Sequence, residues 1–414
     1  MLKSLYFERL MTVFHKSTRS NKTTSDLIFI IYIKSVFQKK GVIHIMKLIC
    51  SKADLLKCVN IVLKAVPSRT TMPILECILI EAKDEEVKFT TNDMELGIET
   101  RMEAKIVEPG TVAIDAKIFS DIVRKLPDND VTIMTEGNLN TTITCEKAKF
   151  TIVGKDGDDF SHISLIERND GVTISQFALK ELIQQTIFSL AINENNKLMT
   201  GELFEIKDNT LKVVSLDGHR IAIRKIELKD SYEDKKVIVP GKTLSEISKI
   251  LSGEIEDMVN IYFSDNYILF EFDETIVVSR LIEGEYFKID QMLSSDYETK
   301  VTINKREFLN CIDRATLLVK EGDKKPIIID ILDGHMELKI DSQIGSMDED
   351  IDITKEGKDI KIGFNPKFLI DALKVIDDET IDIYLVNAKA PCFIKNVEES
   401  YIYLILPVNF NTAR

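Results

Sequence analysis

Thr111-Val-Ala-Ile-Asp-Ala-Lys117 recurs twice at a spacing of 125 residues, as Lys236-Val-Ile-Val-Pro-Gly-Lys242 and as Lys361-Ile-Gly-Phe-Asn-Pro-Lys367. Each copy is a short apolar strand that passes through a turn into an amphipathic segment, which predicts helices over residues 117–126, 242–251 and 367–376. Such a period is too long for a solenoid and has the size of a domain. The sequence therefore predicts three domains built on one repeated unit.

A second series of strand and helix patterns precedes the first. Its strands are Leu48-Ile-Cys-Ser51, Val172-Thr-Ile-Ser175 and Val301-Thr-Ile-Asn304, and each ends at a Ser or Asn that predicts a helix N-cap. The helices expected after them cover residues 54–66, 179–191 and 307–319. Strand-like alternation fills the intervals, so each unit is predicted to be α+β, with helices on one face of antiparallel sheets. The predicted domains are residues 46–169, 170–297 and 298–414.

Residues 1–45 differ from the rest of the chain. They carry eight Lys and Arg against Glu8 and Asp26 and show no regular period, whereas the whole chain has a net charge of −14. We predict that this segment is an N-terminal extension, non-native or disordered, and that Met46 is the natural start.

The composition argues against several classes of protein. No apolar run approaches the roughly 18–20 residues of a membrane-spanning helix. The six Cys include no C-x-x-C pair, which favours reduced thiols over a disulfide framework or a zinc site. We therefore expect a cytoplasmic protein with no membrane partner, no metal and no cofactor.

Asp217-Gly218-His219-Arg220 is the one segment that suggests catalysis, because His219 beside Asp217 could act as a general base with its orienting acid. The tripeptide Asp-Gly-His recurs at Asp333, where a plain hairpin tip is expected, and no nucleophile motif accompanies either copy. We therefore favour a turn in a protein that is not an enzyme. Two alternatives stay open: a hydrolase that uses Asp217 and His219, and a structural repeat protein without a DNA partner.

Each helix of the 125-residue repeat carries two basic residues seven positions apart, which lie on one helix face because two turns return to the same side. The pairs are Lys117 with Arg124, Lys242 with Lys249, and Lys367 with Lys374; the acids Asp121, Glu246 and Asp371 are also in register. A solvated surface would explain any single pair. Recurrence at equivalent positions favours a face that meets DNA phosphates without reading bases.

Five segments occur in a fixed order on this repeat: Asp217-Gly-His-Arg-Ile-Ala222, Val237-Ile-Val-Pro240, Leu281-Ile-Glu-Gly284, Ile362-Gly-Phe-Asn365 and Tyr403-Leu-Ile-Leu-Pro-Val408. Over Met46 to Val408 the chain resembles the bacterial DNA polymerase III beta subunit family, the replicative sliding clamps. The resemblance implies a head-to-tail homodimer whose six domains close into a ring, with helices inside and antiparallel sheets outside. Such a ring would encircle duplex DNA and confer processivity as a non-catalytic subunit of the DNA polymerase III holoenzyme. It would tether the replicative polymerase, the clamp loader and repair proteins through short linear peptides.

The resemblance also implies site residues. Arg69, in Pro67-Ser-Arg-Thr-Thr-Met-Pro73, would join the basic pairs in touching DNA. A hydrophobic pocket between the second and third domains would bind the peptides, and it would comprise Met199, Leu216, Gly218, His219, Arg220, Ile221, Phe287, Met292, Asn365, Phe368, Pro391, Leu406, Pro407 and Val408.

The ring seam is expected where charges are opposite at the two ends of the chain. Basic and aromatic residues of the first domain would meet a helix end and an acidic stretch of the third. The residues predicted at this seam are Lys147, Lys149, Phe150, Leu317, Leu318, Asp348, Glu349 and Asp350.

The chain departs from the family pattern at four places. Asn409 and Gln291 stand where basic residues are common, which puts a charged contact at the pocket rim in question. Lys197-Leu198 replaces a pair of Tyr that some members use for single-stranded DNA, and Ser161 replaces a Pro.

Overall fold

The computed structural model describes residues 46–161, 163, 166–169, 171–192, 196–293, 296–319 and 325–410. The predicted N-terminal extension, residues 1–45, lies outside the described residues.

Within these described residues, six α-helices, two in each of the three units, pack in sequential pairs. They are α1 (Lys52–Val62), α2 (Ala116–Lys125), α3 (Gln176–Gln184), α4 (Gly241–Ile250), α5 (Lys305–Thr316) and α6 (Pro366–Lys374). The helix expected over residues 179–191 ends early, at Gln184. Thr186 leaves helical geometry, with φ −126°, and a short 3-10 turn over Ile187–Ser189 follows.

The predicted N-caps are confirmed. Side-chain oxygens of Ser51, Ser175 and Asn304 accept hydrogen bonds from backbone N–H groups in the first turns of α1, α3 and α5. Each such cap satisfies an otherwise unpaired donor and stabilises its helix by about 1 kcal/mol. The sequence thus sets where these three helices begin.

Strands make up most of the remaining structure. The first third contains β1 (Met46–Ser51), β2 (Cys77–Lys83), β3 (Glu86–Asn92), β4 (Leu96–Glu103), β5 (Lys105–Glu108), β6 (Gly110–Asp115), β7 (Asp130–Thr135), β8 (Asn140–Cys145) and β9 (Ala148–Val153). The middle third contains β10 (Val172–Ser175), β11 (Gly201–Leu216), β12 (Arg220–Pro240), β13 (Met258–Phe263), β14 (Tyr267–Phe272) and β15 (Thr275–Arg280). The last third contains β16 (Thr299–Asn304), β17 (Ile327–Ile331), β18 (His335–Asp341), β19 (Ser346–Asp352), β20 (Thr354–Gly357), β21 (Ile360–Phe364), β22 (Thr380–Leu385), β23 (Cys392–Lys395) and β24 (Tyr401–Ile405).

These strands form four antiparallel sheets, two of which cross from one third of the chain to the next. The eight-stranded sheet has the order β10-β13-β14-β15-β4-β3-β2-β6, and the seven-stranded sheet has the order β11-β12-β24-β23-β22-β16-β20. Pairing of β4 with β15 and of β12 with β24 therefore joins neighbouring units through main-chain hydrogen bonds. The other two sheets are five-stranded, β5-β1-β7-β8-β9, and four-stranded, β19-β18-β17-β21.

The apolar core lies between the helices and the inner sheet faces. Alternating burial along β1 and β17 follows the period-two pattern of their sequences. Large side chains such as Phe119 on α2 and Phe308 on α5 are fully buried against these faces. Helices on one face of antiparallel sheets confirm the α+β prediction.

Candidate peptide and nucleic-acid interfaces

An apolar cluster spans the junction between the second and third units. Four residues of the predicted pocket, Met199, Leu216, Ile221 and Phe287, belong to it or pack against it, together with Phe393, Ile402 and Leu404 of the third unit. Leu216 and Ile221 are directly opposite each other where β11 meets β12. The apolar cluster is therefore formed by segments that are far apart in the sequence and meet at the junction.

The turn between β11 and β12 is held by the carboxylate of Asp217. One oxygen accepts hydrogen bonds from the backbone N–H groups of His219 and Arg220, at 3.0 and 3.1 Å. Gly218 has φ +82°, a conformation that favours glycine, and the space beside its Cα is open. The hairpin turn predicted from Asp-Gly is thus present.

The His219 side chain packs against an aromatic ring of the third unit. Its ring stacks on Phe368, with centroids 6.1 Å apart and planes 23° from parallel. The second oxygen of Asp217 accepts from Arg220 Nε at 3.0 Å, so its carboxylate serves the turn and Arg220. The geometry gives no support to the hydrolase alternative, because no hydrogen bond among the described residues joins the Asp217 carboxylate to the His219 ring.

Arg220 is buried, with 7% of its side chain exposed. Besides Asp217, it donates from Nη1 to Asp371 of α6 at 2.8 Å and from Nη2 to the backbone oxygen of Phe188. Its guanidinium carbon lies 4.5 Å from the ring centroid of Phe368. Arg220, which was predicted to line the pocket, therefore makes its polar contacts at the junction between the second and third units.

The segment after β24 completes the cleft. The backbone N–H of Leu406 donates to His219 O at 2.9 Å, and that of Val408 donates to Gly363 O at 2.8 Å. Leu406 is 37% exposed, as an accessible anchor site requires, and Pro407 between them is half-buried.

The remaining predicted pocket residues have less direct roles. Asn365 caps α6 by accepting from the N–H of Lys367 at 3.0 Å, which places Phe368 one turn into the helix. Pro391 is half-buried and immediately precedes β23, whereas Met292 is 48% exposed at the end of a short 3-10 turn.

Two clefts adjoin the same apolar cluster and were missed by sequence analysis. One, of about 330 Å³, has Leu203 and Phe287 in its lining. The other, of about 230 Å³, is lined by aromatic residues that include Tyr297, Tyr384 and Phe393. Their linings come from several strands and a linker, so no local sequence pattern marks them.

All six residues of the basic pairs on the three repeated helices are exposed, and acids partner four of them. Arg124 pairs with Asp121 at 3.3 Å, Lys249 with Glu246 at 2.7 Å and Lys367 with Asp371 at 2.9 Å. Lys242 pairs with Asp93, a residue of the first unit. Among the described residues, Lys117 and Lys374 form no ion pair. The in-register acids therefore reduce the net positive charge of these helices.

Arg69 is exposed in the loop that joins α1 to β2. Lys155 Nζ donates to the backbone oxygen of Pro73 at 2.5 Å and so ties the end of this loop to the segment after β9. Among the described residues, no hydrogen bond or ion pair joins Arg69 to the basic pairs.

The predicted seam residues lie on or beside two free sheet edges. Lys149 and Phe150 are exposed on β9, and Lys147 is exposed in the turn before it. At the other end of the chain, Asp348, Glu349 and Asp350 lie on β19. Both strands are the outermost members of their sheets.

The acidic edge of β19 is partly neutralised within the chain. Arg314 at the end of α5 donates to Glu349, and these hydrogen bonds lower the pKa of the Glu349 carboxyl. Lys339 pairs with Glu337 and, at 3.5 Å, with Asp348. Next to this edge, Leu317 is 79% exposed, whereas Leu318 packs partly against the core.

A search of the described part of the chain finds no helix with the length and apolar character needed to cross a membrane.

Comparison with known proteins identifies three consecutive matches to family models. Residues 46–164 match the N-terminal domain of the DNA polymerase III beta subunit, residues 173–288 match its central domain, and residues 290–409 match its C-terminal domain. Together these models match well over half of the chain.

Individual relatives agree with these matches. The beta sliding clamp of Staphylococcus aureus (strain Mu50) is 37% identical over 360 residues, which is 84% of this chain and 95% of the relative. A crystal structure assigned as a DNA polymerase III beta subunit, from Eubacterium rectale ATCC 33656, is 70% identical with a TM-score of 0.86, covering 88% of this chain and all of that one. The DNA polymerase sliding clamp of Bacillus subtilis superposes with the same TM-score and coverage at 34% identity.

Proposed function

This chain belongs to the family of the DNA polymerase III beta subunit, the bacterial beta sliding clamps, and from that premise we propose which of its residues form the ring, meet DNA and bind partners. As a sliding clamp it is a non-catalytic processivity factor that binds DNA and tethers the replicative polymerase. The proposals below assign the three-domain fold to ring formation, the basic helices to DNA and the apolar cleft to partner peptides.

We propose that two copies close the ring head to tail by pairing β9 of one with β19 of the other. The supporting observation is that each internal junction is crossed by one continuous sheet, of eight and seven strands, whereas the terminal sheets have five and four strands and free edges. Pairing across the seam would repeat the internal arrangement. Exposed Lys149 and Phe150 on one edge complement exposed Asp348 and Asp350 on the other.

The repeated helices carry the proposed DNA-facing surface. Their basic pairs are exposed at equivalent positions, and Arg69 adds a charge on a separate loop. Phosphate contacts of this kind give binding that depends on salt and not on sequence. The acids beside Arg124, Lys249 and Lys367 limit the strength of these contacts, which suits a ring that must slide.

The apolar cleft at the second junction is the proposed site for linear peptides of polymerase, clamp loader and repair proteins. Met199 and Ile221 belong to the apolar cluster at this junction or pack against it, Phe368 stacks with His219, and the partly exposed Leu406 is hydrogen-bonded to His219 O. We propose that these residues and Val408 form one cleft, which would accept one or two bulky anchors from an extended peptide. Affinities near micromolar, about −8 kcal/mol, are expected, because little area is buried.

We propose a cytoplasmic location, where a replication factor meets the chromosome. The six cysteines are free and buried. Burial raises the pKa of Cys58 to about 11 and that of Cys392 to about 12. Protonated, buried thiols of this kind are unreactive and are compatible with a reducing compartment.

Topological retention on DNA tests the proposed ring. The protein, loaded on nicked circular duplex by a bacterial clamp loader, is expected to stay with the circle during gel filtration in high salt. Cutting the circle with a restriction nuclease should release it, and blocking both new ends with streptavidin should restore retention. Equal retention on open linear duplex would contradict encirclement.

A further inference from the structure

The acid that recurs in register on the three repeated helices has a different role at one of its three positions. On α2, Asp121 is 56% exposed and pairs with Arg124 of its own helix. On α4, Glu246 likewise pairs with Lys249 of its own helix. On α6, Asp371 is only 17% exposed and is shared between Lys367 of its own helix and Arg220 of the preceding unit.

Comparison of the two internal junctions explains why Asp371, and not Glu246, contacts the preceding unit. Their backbones are alike: Glu95 O accepts from the N–H of Arg280 at 2.8 Å, as His219 O accepts from that of Leu406. The turns are alike as well, since the N–H of Leu96 donates to Asp93 at 2.7 Å, as that of Arg220 donates to Asp217.

The side chain that follows each turn differs. Leu96 at the first junction is apolar and buried, whereas Arg220 stands in its place at the second. Glu246 therefore meets no arginine at its junction, and Asp371 does.

Arg220 links Asp371 to the aromatic wall of the cleft. Phe368 lies three residues before Asp371, so both side chains are on the same face of α6. The Arg220 guanidinium lies 4.5 Å from the centroid of Phe368 and 2.8 Å, through Nη1, from Asp371. His219 stacks against the same Phe368 ring.

We infer that Asp371 is a positioning residue of the peptide cleft: it holds Arg220 against Phe368 across the junction and so fixes the Phe368–His219 wall. This inference rests on the proposed peptide site. Asp371 itself touches no peptide. Because Arg220 is buried, loss of one of its carboxylate partners leaves a charge without full compensation, and the guanidinium and the ring below it lose their fixed geometry.

Fluorescence anisotropy with a labelled peptide that carries Gln and a Leu-Phe pair tests the inference. Asp371→Asn is nearly isosteric and is expected to weaken peptide binding roughly tenfold, the effect of one charge-assisted hydrogen bond. Glu246→Gln, the equivalent change at the other junction, is the matched control and should leave affinity unchanged. Lys367→Gln, which removes the other partner of Asp371, should leave affinity within about twofold, because the Arg220 bonds remain.

Two further variants separate positioning from simple damage to the fold. Asp371→Glu keeps the carboxylate and is expected to retain most of the affinity, although its extra methylene changes the packing more than Asn does. In an Arg220→Lys background, which lacks the guanidinium fork, Asp371→Asn should have little additional effect.

The outcomes are distinct. Wild-type affinity in Asp371→Asn, or a full additive loss in the Arg220→Lys background, would overturn the positioning role. An absence of peptide binding by the wild-type protein would instead refute the peptide site itself.

Discussion

Glu202 on β11 gives the sharpest test of the physical reasoning, because its carboxyl group is fully buried and only one of its two oxygens is hydrogen-bonded among the described residues. Its side chain has no exposed surface. One oxygen accepts from Thr186 Oγ1 at 3.0 Å, and the other has no hydrogen-bond partner among the residues that the structure describes. Burial raises the pKa of this carboxyl well above its ordinary value, and the Thr186 hydrogen bond offsets the rise only in part. The group is therefore protonated in the fold at pH values where the unfolded chain has lost the proton.

The sign of the effect on stability follows from this difference. Between the ordinary pKa of the Glu202 carboxyl and its raised pKa, the folded state binds one more proton than the unfolded state. The contribution of Glu202 to the free energy of unfolding is therefore most favourable below this window and falls as pH rises through it. The slope is about 1.4 kcal/mol per pH unit for one proton. Glu202→Gln removes the titrating group and keeps its shape, so the variant should gain stability relative to the wild type along that slope.

Urea unfolding followed by far-ultraviolet circular dichroism at pH 5.5, 7.0 and 8.5 measures this difference. The advantage of Glu202→Gln should widen at each step until the raised pKa is passed. Glu205→Gln, on the same strand but paired with Lys212 at 3.1 Å and partly exposed, is the control and should show the same small effect at each pH. Parallel curves for Glu202→Gln and the wild type would refute the argument from buried ionisation.

Three further predictions concern the proposed surfaces. Lys242→Glu with Lys249→Glu should flatten the salt dependence of DNA association by about two units, measured by titration with NaCl, and should also lower the free energy of unfolding, because the new acid at position 242 faces the nearly buried carboxylate of Asp93; an unchanged slope would make these residues ordinary solvated surface. Phe150→Asp should shift the dimer toward monomer in sedimentation at micromolar concentration, because it adds an acid where β9 would face the acidic β19; a wild-type that is itself a salt-independent monomer would refute the seam. Met199→Ala with Leu406→Ala should abolish binding of the Gln- and Leu-Phe-containing peptide while dimerisation and retention on circular DNA persist, and normal anisotropy in that double variant would refute the pocket assignment.

Local sequence determined the elements of this protein. The caps at Ser51, Ser175 and Asn304 work through one or two hydrogen bonds within a few residues, so their residue types suffice to place helix starts. Alternating apolar residues determine which face is buried in strands such as β1 and β17, and Asp217-Gly218 determines a turn because few residues adopt its positive φ. The end of α3 was misplaced, because Thr186 has φ −126° and so leaves helical geometry; its hydroxyl is also hydrogen-bonded to Glu202, sixteen residues away, a contact that no local pattern marks.

Only the tertiary structure decided how the units join and what the repeated residues do. Pairing of β12 with β24 brings together strands that are far apart in sequence, and no local pattern specifies which edge meets which. The same distance explains Arg220 and Asp371, which are 151 residues apart and meet only because two sheets become one. Sequence placed the acids Asp121, Glu246 and Asp371 in register and made them look equivalent. The fold distinguishes them, because a carboxylate's role depends on which cation packing brings within hydrogen-bonding distance.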